Sequence, residues 1–332
     1  MALQSSGTIS LNDIHIEAGG SSGTLCTIND TDIRGLIGKA SAAQASFSEY
    51  YGASSRGEQT YTSAGTYTWT APFSGSVCIL CIGAGSDGGI RTSWDGGVGG
   101  GGGALSYINN YSVTSGTSYT IIVANRAQYG TNPGDSQFKV GSTVICGADS
   151  ATSRPRGNAN SGTGTVKRHG GNGGGGGTDG SGGGGAAGYG GNGGNGEQLN
   201  WWGNVYTAAT SGSGGGGGGG GAYGTYGSGA QYGGGGGGGV GIYGQGSNGA
   251  GGTGSGAPGG GAGSGGGAGG NGVSNGAAGN GGAYGGGGGG QCDRYGANAY
   301  PIASNLGGRA GNGAVRIIWG SGRAFPSTDT GT

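Results

Sequence analysis

Apolar and polar positions alternate most clearly between residues 57 and 150. In TYTWTA, Tyr67 and Trp69 alternate with Thr66, Thr68 and Thr70, the period of two that marks a strand with one buried face. The run SVCILCI is apolar on both faces and suits a central strand. SYTIIVA repeats the theme, and FKVGSTVI carries Gly141 and Ser142 between short runs, as a two-residue hairpin turn requires. Short strands at regular spacing predict an antiparallel β-sandwich. One further strand, AVRIIW, places Val315, Ile317 and Trp319 on one face far down the chain. A lone strand does not persist, so it is expected to rejoin the sheets of residues 57–150. Residues 313–320 then close the sandwich, 151–312 form an insertion tied to it at both ends, and 321–332 are a C-terminal tail.

Residues 1–56 follow a different pattern. In NDTDIRGLIGK, Asp30 or Thr31 caps a short helix carrying Ile33, Leu36 and Ile37, with Gly38 as its stop. Phe47, Tyr50 and Tyr51 of SFSEYYG add packing groups. The segment is too small to promise an independent core. It reads as a docking element, with an ordinary N-terminal extension as the alternative.

Composition changes the picture of the insertion. Glycine supplies 103 of 332 residues, far above globular usage, so the insertion has almost nothing apolar to bury. A flexible linker is the default for such tracts. Collagen needs glycine at every third position and abundant proline, and the chain holds 6 prolines. The remaining state is a bundle of extended polyglycine II helices, three residues per turn, whose radial N–H and C=O groups pair with neighbouring helices. A three-residue rhythm supports it. Asn192 and Asn195 follow Tyr189 at steps of three, Tyr223 and Tyr226 repeat the step, and Ala268, Asn271, Ser274, Ala277, Asn280 and Ala283 share one phase. That phase is the edge expected to face solvent.

Charge and chemistry narrow the function. Acidic and basic residues balance at 14 each, leaving no footprint for nucleic acid. No apolar run approaches a membrane span, and the N-terminus lacks a secretory pattern, which implies assembly in a cytoplasm. The five cysteines are odd in number and scattered, so no disulfide framework is expected. Cys78 and Cys81 fall on opposite faces of a strand, unsuited to one metal. His15 and His169 sit in no catalytic or zinc pattern, and glycine-rich phosphate loops arise by chance at this composition. The reading is a non-enzymatic protein without cofactor or metal. Arg154, Arg156, Lys167, Arg168 and His169 form a basic cluster at the entrance to the insertion, read as a solvated loop, with contact to anionic surface glycans as the weaker option.

The islands between glycine runs carry Trp201, Trp202, Tyr206, Tyr223, Tyr226, Tyr232, Tyr243, Tyr295 and Tyr300. Tyrosine and tryptophan on a rigid support give contact area at low entropic cost, which makes these the receptor-contact candidates. For Trp201 and Trp202, packing against the bundle or sandwich is an equal alternative.

ISLNDIHIEAGGSSG, DIRGLIGKASAAQASFSEYYGAS, YTWTAP, GGVGIYGQGSNGAGG and GAVRIIWGSGRAFPST resemble glycine-rich virion proteins of tailed phages, notably marine cyanophages, over nearly the whole chain. The insertion also resembles the distal adhesins of T4-like phages, whose glycine helices form a stacked bundle with receptor-binding loops at one end. The enclosing β-domain departs from those adhesins and resembles glycine-rich domains of some animal receptors. The resemblance implies a tail-fibre or adhesin component of the virion. Its partners would be other tail or fibre proteins, through residues 1–56, and a host surface receptor, an outer-membrane protein or glycan. Neither nucleic acid nor membrane insertion is expected. A purely structural tail or capsid component, with the bundle as a rigid spacer, is the alternative. An ice-binding protein would need a flat, regular face, against which the Tyr-, Trp- and Asn-bearing turns argue.

Overall fold

The computed structural model describes residues 3–40, 42–53, 57–89, 97–175, 180–199, 205–222, 233–253, 256–273, 277–291, 307–320 and 323–327. Among the described residues eleven strands run in chain order: Gly57–Tyr61 (β1), Gly65–Thr70 (β2), Gly75–Ile82 (β3), Leu105–Val113 (β4), Ser118–Val123 (β5), Ser136–Val140 (β6), Thr143–Ala148 (β7), Val166–Arg168 (β8), Gln198–Leu199 (β9), Val205–Thr207 (β10) and Ala314–Trp319 (β11). They form an antiparallel sheet in the order β1-β11-β3-β4-β8, a second in the order β2-β5-β6-β7, and the pair β10-β9.

The two larger sheets face each other across one core, a sandwich-like arrangement. Val77, Ile79 and Cys81 of β3, with Val315 and Ile317 of β11, meet Trp69, Tyr119, Ile121 and Phe138 of the other sheet. Tyr119 and Phe138 stack with centroids 4.9 Å apart, and Trp69 lies 6.0 Å from Trp319. AVRIIW does return to the sheet, and it enters between β1 and β3, pairing Ala314 with Ile82 and Trp319 with Gly57. Gly141, at φ 56°, makes the β6–β7 turn where the sequence placed it.

The apolarity of both faces of β3 has a direct cause. Cys78, Leu80 and Ile82 point away from the first core and join Leu105, Tyr107, Ala314 and Ile318 in a second one. Across it lie Ala186, Ala187, Tyr189, Val240 and Ile242 of the glycine-rich region. The five-stranded sheet is therefore a middle layer, and Cys78 and Cys81 sit on its opposite faces, as strand geometry requires. Phe325, assigned by sequence to a C-terminal tail, is buried in this second core; Asn109 clamps its backbone, accepting from its N–H at 3.1 Å and donating to its carbonyl at 2.7 Å.

The glycine-rich segments lie side by side, and their main chains bond to one another with a period of three. Gly182 and Gly185 donate to Glu197 and Gly194, Gly183 and Ala186 to Gly235 and Gly238, and Gly184 and Ala187 to Gly100 and Gly103. Residues 233–239 show the fullest environment. Gly233, Gly236 and Gly239 donate to 273, 270 and 267; Gly234 and Gly237 to 290 and 287; Gly235 and Gly238 to 221 and 218. The same run accepts from Gly279 and Gly282, from Gly183 and Ala186, and from Gly260 and Gly263. Six neighbouring segments thus surround one strand of bare main chain.

Two boundaries differ from the sequence reading. Residues 83–89 and 97–103, assigned by strand spacing to the sandwich, bond to the glycine-rich segments: Gly97, Gly100 and Gly103 donate to 291, 288 and 285. Conversely, β8 lies inside the presumed insertion and pairs with β4. The run 267–283 also folds back on itself, with Gly267, Gly270 and Val273 donating to Ala283, Asn280 and Ala277. The shared phase of its side chains therefore belongs to two antiparallel arms, on which Ala268, Asn271, Asn280 and Ala283 are exposed.

Residues 3–53 hold their own small core, against the expectation from size. Leu3, Ile14, Ile33 and Tyr50 are buried together, with Leu36 and Ile37 packed against them. A helix not foreseen, Leu11–Glu17 (α1), supplies Ile14 and is started by a Ser10–Asp13 capping box. The foreseen helix is Thr31–Gly35 (α2), followed by Gly38 at φ 66°. Asp30 occupies its N-cap position but turns its carboxylate to the N–H and hydroxyl of Thr27, at 2.9 and 2.7 Å.

Candidate binding surface

Most of the receptor-contact candidates, namely Trp201, Trp202, Tyr223, Tyr226, Tyr232, Tyr295 and Tyr300, lie outside the described residues. Tyr206 contributes backbone to β10. Tyr243 is half exposed, and its ring covers the guanidinium of Arg316 at 4.8 Å. Arg316 is itself fully buried, donates to the carbonyl of Ile242 at 3.0 Å, and shares the Glu58 carboxylate with Arg323. Among the docking candidates, Ile33 and Tyr50 are buried inside residues 3–53, while Phe47 and Tyr51 keep exposed surface.

A polar surface emerges along the edge of the glycine-rich region. Side chains there take the place of backbone acceptors for the adjoining segment. His169 N–H donates to Asn192 Oδ1 at 3.1 Å, and Asn192 N–H to Ser213 Oγ at 2.9 Å. Three residues along, Asn172 N–H donates to Asn195 Oδ1 at 2.9 Å and Asn195 N–H to Thr210 Oγ1 at 2.7 Å. The step of three between these two ladders is the step between Asn192 and Asn195 in the sequence.

At one end of this surface lies a shallow depression of about 410 Å³ lined by Pro155, Arg156, Asn158, Asn160, His169 and Asn172. Its walls are the turn after residue 154 and the segment following β8. The basic cluster divides here. Arg154 donates to Gly173 O and Gln198 Oε1, Lys167 to Gly162 O and Arg168 to Lys167 O, whereas Arg156 and His169 meet at the depression. Burial, with Arg156 adding to it, pushes the His169 pKa down, so the ring is neutral near pH 7. Behind the depression, Asp149 accepts from Asn158 N–H at 2.7 Å. Burial and the neighbouring Asp135 raise its carboxyl to about 6. Sequence reading singled out Arg156 and His169; Asn158, Asn160 and Asn172 were missed, since their spacing of two and twelve carries no periodic signal. Among the described residues no group of three or more His, Cys, Asp or Glu is placed to hold a metal ion. A scan against models of protein families gave no match for this chain, and a search of curated proteins gave none.

Proposed function

We propose that the glycine-rich region is a polyglycine II bundle and that the chain is a tail-fibre or adhesin-type virion protein, presenting host-recognition turns on that bundle. The observation that carries the reading is the period of three in the main-chain bonds. Segments bonded this way on up to six sides have no spare polar groups and no room for side chains, which favours a stiff platform over a linker. Side chains gather at its edges and at its turns, where contact with a partner is available. The resemblance to glycine-rich virion proteins supplies the biological setting.

The test is adsorption. Purified protein is incubated with susceptible cells before phage challenge; it should bind the cells and reduce infection. A protein that neither binds nor blocks is a spacer, and the adhesin reading then fails.

A further inference from the structure

The geometry points to the depression around Arg156 as a binding site for a carboxylate-bearing sugar, of the uronic acid type, on an anionic surface glycan. Arg156 N–H donates to Asn172 Oδ1 at 3.3 Å, Ala159 N–H to His169 Nδ1 at 3.0 Å, and Asn160 N–H to Asn158 Oδ1 at 3.0 Å. Three side-chain acceptors in its walls are thus taken up by the main chain. Apart from the Asn160 side-chain oxygen, what remains is donors. Because Nδ1 accepts, the neutral His169 ring carries its proton on Nε2. The amide nitrogens of Asn158 and Asn172 are donors by default once their oxygens are fixed. No hydrogen bond to the Arg156 guanidinium is made among the described residues, and its planar fork suits a carboxylate.

A rim rich in donors, with one cation, matches a ligand that is all acceptor at one end. The single guanidinium and the open, shallow shape favour a singly charged sugar over a compact polyphosphate. Pro155 adds an apolar face against which the C–H side of a sugar ring can lie. The volume falls within the range of small-ligand sites. The Asn158, His169 and Asn172 side chains are held in place by main-chain bonds that persist without ligand, so the ordering cost of binding falls mainly on Arg156.

The proposal rests on the adhesin reading for the source of the glycan, but its binding step stands alone. Oligogalacturonate, maltotetraose and inorganic phosphate are titrated separately into the full chain by isothermal calorimetry. Oligogalacturonate is expected to bind, maltotetraose at least tenfold more weakly, and phosphate not to compete. Arg156→Gln should weaken oligogalacturonate by about tenfold with thermal unfolding unchanged, since the guanidinium supports no internal bond. Equal binding of the neutral oligomer, displacement by phosphate, or no loss in Arg156→Gln overturns the proposal. Cell adsorption without oligogalacturonate binding leaves the adhesin reading standing and removes this site.

Discussion

Individual glycines here are defined by what a side chain would hit. A Cβ built on Gly237 would sit closer than 3.0 Å to the carbonyl oxygen of Gly184, and one on Gly184 would meet Gly171 O in the same way. These contacts are backbone on backbone, so neither partner can swing aside. Gly237→Ala should therefore cost more than the about 1–3 kcal/mol of ordinary overpacking, visible as a large drop in melting temperature. Ala268→Ser, on an exposed edge position, should leave it unchanged. Equal melting temperatures for the two variants would contradict the close packing of main chains. At this scale the sequence was informative by phase: of the positions expected at a solvent edge, Ala268, Asn271, Asn280 and Ala283 are exposed, Ala277 is half-buried and Ser274 lies outside the described residues. That Asn172, Asn192 and Asn195 substitute for main-chain acceptors was not legible, because it depends on which segments become neighbours.

Among the elements, β11 shows how far a pattern can be read. Its strand character, its inward face and its return to the sheet were all evident from AVRIIW. Its place between β1 and β3 was not, since β1 (GEQTY) has little apolar signal of its own. Arg316 also breaks the pattern by being fully buried. Its partner is Glu58 of β1, which Arg323 shares, so one carboxylate joins the strand to the segment after it. Burial raises the Glu58 pKa, but the hydrogen bonds from Arg316 and Arg323 outweigh it and hold the carboxyl below its ordinary range. A depressed carboxyl stabilises the fold above its unfolded pKa, and that contribution is lost as the pH falls through the folded one. Glu58→Gln should thus lower stability at pH 7 by about 3 kcal/mol, because two buried guanidinium groups lose the carboxylate they share. Acidification to pH 3 should narrow the gap between variant and wild type. Thermal unfolding at both pH values checks this; an unchanged gap would remove the ion pair from the account.

From residue 57 onward the described residues are layered: a four-stranded sheet, a five-stranded sheet, then the glycine-rich region seated on the latter through Ala186, Tyr189, Val240 and Ile242. The sandwich-like part was legible because it buries side chains, and buried side chains leave a period in the sequence. The glycine-rich part was legible only in its step of three. Its membership was under-read at 83–89 and 97–103, since glycine carries no mark of which neighbour it will bond. Ordering a glycine costs about 1–2 kcal/mol of backbone entropy, and one hydrogen bond returns about 1 kcal/mol. The region therefore depends on cooperation among its segments and on the apolar seat that the sheet provides. Native-state amide hydrogen exchange tests this directly. Residues 182–187 and 233–240 should exchange as slowly as β3, with protection lost in a single step on global unfolding. Exchange of these glycines at the rate of an unstructured chain, while β3 stays protected, would contradict an ordered core made of main chain.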